Sequence, residues 1–270
     1  MLGGILSYPF FQYALLGSLF ASIACAVVGS YVVVRRMVFI SGGITHASFG
    51  GVGIGLYLGW HPLLTAIGFA VLSAFGVEWA SRSQQVREDS AIAGVWSLGM
   101  AIGVLFIFLS PGYAPNLSAY LFGNILTVSR ADVYGMALLA CFLTAAFLLF
   151  RREILYLAFD PDFARTQGLP VRRIEYLMML AIAVTVVLSI RLVGIMMLMS
   201  LLTLPQIISG LFTSDFRKMV CGSAAVSFLA CLFGLFCSYF LDVPTGAFIV
   251  LLLVVLFLAA KGFQRLARSH

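Results

Sequence analysis

Charge is what this sequence has least of. Asp, Glu, Lys and Arg together make up 10% of its 270 residues, where a soluble domain carries about a quarter. So little polar surface cannot wrap a water-soluble globule, and 62% hydrophobic residues require lipid as the solvent. Lysine is nearly absent: only Lys218 and Lys261 occur, neither follows a glycine, and no G-x-x-x-x-G-K-[ST] phosphate loop exists. Any ATP used must therefore be hydrolysed by a partner. G-x-S-x-G and H-E-x-x-H are missing too, which argues against a membrane hydrolase. No carboxylate falls in the middle of an apolar run, since Glu78, Asp132, Glu175 and Asp242 lie near run ends. Ion-coupled carriers generally need such a group at depth, so a stand-alone secondary carrier is a weaker reading. The five cysteines, Cys25, Cys141, Cys221, Cys231 and Cys237, follow neither a disulfide framework nor C-x-x-C spacing and read as packing residues.

What is present is a series of apolar runs. Nine qualify as spans: Pro9 to Val34, Gly42 to Leu58, Pro62 to Ala80, Ala91 to Leu109, Val133 to Phe150, Ile174 to Ile190, Val193 to Phe212, Val220 to Leu241 and Thr245 to Ala260. The second is short, and eight spans with one re-entrant segment is the alternative count. The first run has no positive region before it and is too long for a signal-peptide core, so it reads as a retained span. Placing the N-terminus outside and the C-terminus in the cytoplasm leaves only Arg130 and Arg191 of the sixteen basic residues outside. Basic residues at span ends set orientation in this way and do not call for nucleic acid. The expected class is all-α, a polytopic transmembrane bundle forming one domain over residues 1–270.

Two linkers interrupt the pattern. Ser110 to Arg130 holds Pro111, Gly112, Pro115 and Asn116, then an amphipathic stretch, Leu117 to Leu126, suited to the outer interface. Residues 151–173 form the longest polar segment on the inner side. There Asp160 can cap a helix, Pro161 suits its first position, Gly168 its end, and Pro170 forbids continuation. The spacing predicts an exposed cytoplasmic helix of about two turns.

Polar groups inside the spans are few. His46 is the only histidine within a span, flanked by Ser41, Thr45 and Ser48 and by Gly42, Gly43, Gly50, Gly51, Gly53 and Gly55. In helical register Gly42 and Gly50 lie one turn either side of His46, so its ring projects from a face almost bare of side chains. Such a face either lines a path, where imidazole is a good ligand for zinc, manganese or iron and the glycines leave room for an ion with its waters, or packs closely with the ring bonded to a carbonyl. In the seventh span Thr203, Gln206 and Gly210 share a face, and Pro205 frees the carbonyl of Leu201. Those oxygens either line a cation path or repair a kink. Met178, Met179, Met196, Met197 and Met199 read as core packing in preference to copper ligands. Asp242, in an outer turn, is either an entrance carboxylate or a turn former.

Five blocks carry a resemblance. VVVRRMVFISGGITHASFGGVGIGLYLG, SAYLFGNILTVSRADV, DPDFARTQGLPVRRI, VGIMMLMSLLTLPQIIS and DVPTGAFIV resemble, in order, blocks of the permeases of the zinc, manganese and iron ABC uptake family. More distantly, the second span and the inner loop look like cobalamin and ferric-siderophore permeases, which makes import of a metal chelate the runner-up to import of a divalent ion. The resemblance implies a permease homodimer in a bacterial inner membrane on two ATPase subunits, fed by an extracytoplasmic metal-binding protein, with the metal as cargo and no permanently bound cofactor. It implies that Asp160, Pro161, Phe163, Ala164 and Gly168 belong to the element seated in the ATPase, that His46 contacts metal, and that Thr45, Ser48, Thr203, Gln206 and Asp242 are pathway candidates. Gly42 departs from the pattern, standing where the family usually has the aspartate that shares coordination with the histidine.

Overall fold

A computed structural model describes residues 8–82, 87–110 and 128–268, all of whose regular structure is helical. The expected interfacial helix at Leu117 to Leu126 lies outside the described residues. The helices are α1 (Pro9–Val34), α2 (Val38–Leu58), α3 (Pro62–Arg82), α4 (Glu88–Leu109), α5 (Arg130–Leu149), α6 (Arg151–Phe159), α7 (Pro161–Thr166), α8 (Val171–Leu201), α9 (Leu204–Gly210), α10 (Phe216–Leu241) and α11 (Thr245–Arg268). The chain is an all-α multi-pass membrane protein.

Among the described residues, seven stretches are long and apolar enough to cross a bilayer, against the nine expected. Two physical causes account for the difference. The 21 residues of α2 reach about 31 Å at 1.5 Å each, enough for a hydrocarbon core of about 30 Å. Its six glycines, its hydroxyls and His46 nevertheless make it less apolar than the other long helices. Conversely, Val171–Gly210 counts once at 40 residues, about 60 Å of helix and twice that core. Gly194 breaks it with φ 74 and ψ 168, values foreign to a helix. Dividing there and counting α2 returns nine. The break falls not between Ile190 and Val193, where one span was expected to end and the next to begin, but at Gly194, inside the expected seventh span, where glycine can adopt positive φ.

The chain forms two compact units, one of Met1–Val34, Ser118–Leu149 and Ser189–His270, the other of Arg35–Leu117 and Phe150–Leu188. In the first, α1 is the central helix, buried along most of its length and packed against α5, α9 and α10. α5 buries one stripe, Val133, Met136, Ala140, Leu143 and Phe147, and exposes Tyr134, Leu138 and Phe142 on the other side. That is the pattern of a helix with lipid on one face. Asp132 at its start pairs with Arg191 at 3.2 Å.

In the second unit α2 is central, with α3 and α4 against its two faces. The glycines explain how close the helices come. A methyl built on Gly53 would stand 2.5 Å from the Gly103 carbonyl oxygen, and one on Gly99 2.4 Å from the Ala47 Cα. Toward α3, methyls on Gly51 and Gly55 would meet Thr65 at 2.4 and 2.3 Å. Small residues here allow backbone-to-backbone approach, the ordinary device of helix association in lipid. The matched pairs, Gly43 with Ile92, Ala47 with Gly99 and Gly53 with Gly103, ascend together, so α2 and α4 run parallel. Arg36, with φ 59, turns the chain into α2, and Arg35 beside it binds Glu175 at 3.0 Å.

Candidate functional site

The polar residues of α2 divide into two kinds. Ser41, Thr45 and Ser48 are buried, and each hydroxyl donates to a carbonyl of its own helix: Ser41 to Val38 at 2.8 Å, Thr45 to Ser41 at 2.6 Å and Ser48 to Thr45 at 2.7 Å. Their donors are thereby satisfied locally, as lipid demands, and only oxygen lone pairs remain for anything else. His46 differs. Its ring lies flat on the indole of Trp96 in α4, with centroids 4.1 Å apart and planes 7° from parallel. Nδ1 is buried and has no hydrogen-bond partner among the described residues.

Of the two readings left open for this face, close packing describes the glycines, with the ring stacked on an indole where a bond to a carbonyl was expected. The face around His46 is covered, by an aromatic ring 50 positions on in another helix. The glycines do not leave room for an ion with its waters: at Gly43, Gly50, Gly51, Gly53 and Gly55 neighbouring helices occupy the space, and Gly42 is buried as well. Trp96 was missed because nothing near it marks it. The available signal was the pair Gly99 and Gly103, four apart in α4 and complementary to the α2 glycines, with Trp96 one turn before them. Among the described residues no three of His, Cys, Asp and Glu come together to hold a metal.

The break between α8 and α9 shows how the kink is repaired. Pro205 has no N–H to offer Leu201, and Gln206 supplies the donor: its Nε2 binds the Leu201 carbonyl at 3.0 Å and the Cys25 carbonyl of α1 at 2.9 Å. Gln206 is fully buried, and its Oε1 is left without a partner among the described residues. Thr203 turns its hydroxyl onto Met199 at 2.8 Å. Of the two readings left open, kink repair describes the geometry of Gln206 and Thr203. Asp242 is exposed at the end of α10 with φ 54, and the turn it begins is tied by Ser238, which donates to the Val243 carbonyl at 2.5 Å and shares a hydrogen bond with Thr245. The turn-forming role describes it.

The polar segment 151–173 holds a pair of short helices, α6 and α7, where one was expected. Asp160 caps α7 by accepting from the amides of Asp162 at 3.0 Å and Phe163 at 2.9 Å, with Pro161 at its first position. Gly168 ends the turn with φ 74, and the Leu169 amide reaches back to the Ala164 carbonyl at 3.2 Å. These are the caps the residue types dictate. Phe163 is 44% exposed and rests edge-on against Tyr156 of α6 at 5.2 Å. Ala164 is fully buried, so of the two expected docking side chains only Phe163 offers a surface.

The model of the ABC 3 transport family matches residues 7–264. The chain is 39% identical to the uncharacterized membrane protein slr2045 of Synechocystis over 96% of its length and 92% of that protein's. It is 32% identical to the manganese transport system membrane protein MntC of Halalkalibacterium halodurans, over 96% and 89% respectively. A chain of PsaBC from Streptococcus pneumoniae, solved in complex with Fab, superposes with a TM-score of 0.87 at 27% identity, covering 96% of this chain and 93% of that one.

Proposed function

This chain belongs to the ABC 3 transport family, and we propose that it is the membrane-spanning permease of an ATP-driven importer that brings a divalent metal ion, manganese first among zinc, manganese and iron, into the cytoplasm. The observation that carries the reading is near full-length likeness to a manganese transport system membrane protein, together with an exposed, doubly capped helix, α7, in the middle of the polar segment 151–173. A capped cytoplasmic helix presenting a half-exposed Phe163 is a docking element, and an ABC ATPase is the partner that ATP-driven transport requires. Lipid surrounds the spans, two copies of the permease enclose the path, and an extracytoplasmic binding protein delivers the ion. The N-terminus lies outside and the C-terminus inside, as the basic residues dictate.

In this reading His46 contacts the ion during passage. Its imidazole is a borderline ligand suited to manganese, iron and zinc, and a single such contact holds an ion loosely enough to release it. Gly42 removes the carboxylate that would tighten the site. The permease performs no chemistry of its own and binds no resident cofactor; the metal is cargo.

The test is uptake of radiolabelled manganese, zinc and iron by cells carrying the permease with its ATPase. His46→Gln keeps hydrogen-bonding capacity but binds transition metals weakly, so uptake should fall at least tenfold, about 1.4 kcal/mol in the limiting step, with membrane abundance unchanged. Wild-type uptake by this variant removes His46 from the path. Phe163→Glu should cut ATPase copurification about tenfold while leaving the permease inserted. Normal copurification and transport would remove α7 from the docking surface.

A further inference from the structure

We propose that Trp96 is a positioning residue of the metal path: its indole face sets the plane of the His46 ring and stabilises that ring when a cation draws on it. The inference rests on the reading of His46 as a metal contact. A ligating histidine is ordinarily oriented by a hydrogen bond from its other nitrogen to a carboxylate, carbonyl or water. His46 Nδ1 is buried and has no such partner among the described residues. Its own helix offers the ring little: of the four positions one turn away, Gly42, Gly43 and Gly50 carry no side chains, and Phe49 packs its ring against Gly103 of α4. The contact that fixes the ring is the stack on Trp96, at 4.1 Å and 7°.

The indole is itself fixed by backbone packing. Gly99, one turn beyond Trp96, lies against Ala47, the neighbour of His46, so closely that a methyl would stand 2.4 Å from the Ala47 Cα. One turn before Trp96, Ile92 sits against Gly43. Those two contacts bracket the stack and hold the two rings at one level. The choice of ring has a chemical consequence. A cation withdraws electron density from the imidazole it binds, and the electron-rich indole face, the strongest of the aromatic faces toward positive charge, then attracts that ring more strongly. Phenylalanine preserves the flat platform with a weaker face, whereas leucine preserves neither.

The test has two arms, both on the full-length permease. In cells carrying the whole transporter, Trp96→Leu should raise the KM for manganese at least fivefold at near-normal abundance and ATPase copurification, and Trp96→Phe should restore it to within about twofold of wild type. A residue that merely packs moves abundance and leaves KM alone. In the second arm Trp60→Phe and Trp79→Phe leave Trp96 as the sole tryptophan of the chain, which has three. In nanodiscs, cobalt(II), a quenching divalent ion, should quench its emission saturably, and His46→Gln should abolish the saturable part. If Trp96→Leu fails to assemble, this arm decides, because it keeps Trp96 native. An unchanged KM in an assembled Trp96→Leu, or the absence of His46-dependent quenching, overturns the inference while a transport defect in His46→Gln preserves the site. Wild-type transport by His46→Gln removes the site and the inference together.

Discussion

His46 and Gln206 are both nitrogen-bearing side chains set among apolar helices, and they meet the membrane's demand in opposite ways. Gln206 commits its amide donors to two backbone carbonyls, one orphaned by Pro205 and one on α1. It joins elements of one compact unit through its Nε2, while its Oε1 has no partner among the described residues. His46 makes no hydrogen bond through its buried Nδ1 to the described residues and is held by a ring face. Stacking restrains the ring without occupying its lone pair. The same residue class, polar at depth, thus divides by where its donors and acceptors go, and that is a better guide to function than depth alone.

The contrast would be broken most severely at Gly99. Valine there puts its Cβ 2.4 Å from the Ala47 Cα, backbone that cannot yield as a flexible side chain does, and adds two methyls beyond it. Gly99→Val should cost more than about 3 kcal/mol and take the His46 stack away with the fold. The readout is membrane abundance and protease resistance, and near-normal values for both would mean that α2 and α4 do not approach as described. Gln206→Met comes next. It matches volume but leaves the Leu201 carbonyl unpaired in a dry setting, costing about 1–3 kcal/mol. Thermal stability in detergent should fall while the KM for manganese in the surviving transporter stays near wild type. A raised KM at unchanged stability would return Gln206 to the list of pathway residues and collapse the distinction.

Which parts of this were legible in the sequence follows from the range of the interactions involved. The α7 caps were readable because Asp160, Pro161 and Gly168 act within a few residues of themselves. The freed Leu201 carbonyl was readable from Pro205, but its repair also reaches Cys25, 181 positions away, which no local rule finds. The burial of Ala164 was missed because α6, the helix it packs beside, was read as loop. The largest gap was at His46: a bare face in the sequence is covered in three dimensions, since glycine in lipid marks close approach by another helix as readily as open space. The count of spans differed where composition and geometry part ways, at the glycine-rich α2 and at the one-residue break of Gly194.

The smallest expected effect concerns a third way of satisfying a polar group, pairing it with another side chain. Arg35 and Glu175 meet at 3.0 Å with side chains 24% and 12% exposed, so solvent still reaches the pair. Exposed pairs contribute about 0.2–1 kcal/mol, and a partner removed from a fully buried pair costs about 3–5 kcal/mol. Partial exposure places Glu175→Gln near the lower range, about 1 kcal/mol. Glutamine keeps an acceptor within reach of Arg35, which limits the loss further. Unlike the Gln206 clamp, whose carbonyl acceptors are neutral, this contact depends on charge, so its contribution should shrink as salt rises. A double-mutant cycle of Arg35→Gln with Glu175→Gln, read by thermal stability at low and high salt, measures it. A coupling above about 3 kcal/mol at high salt would mean that the pair is buried, and that it joins the Gln206 clamp in holding helices together by desolvated contacts.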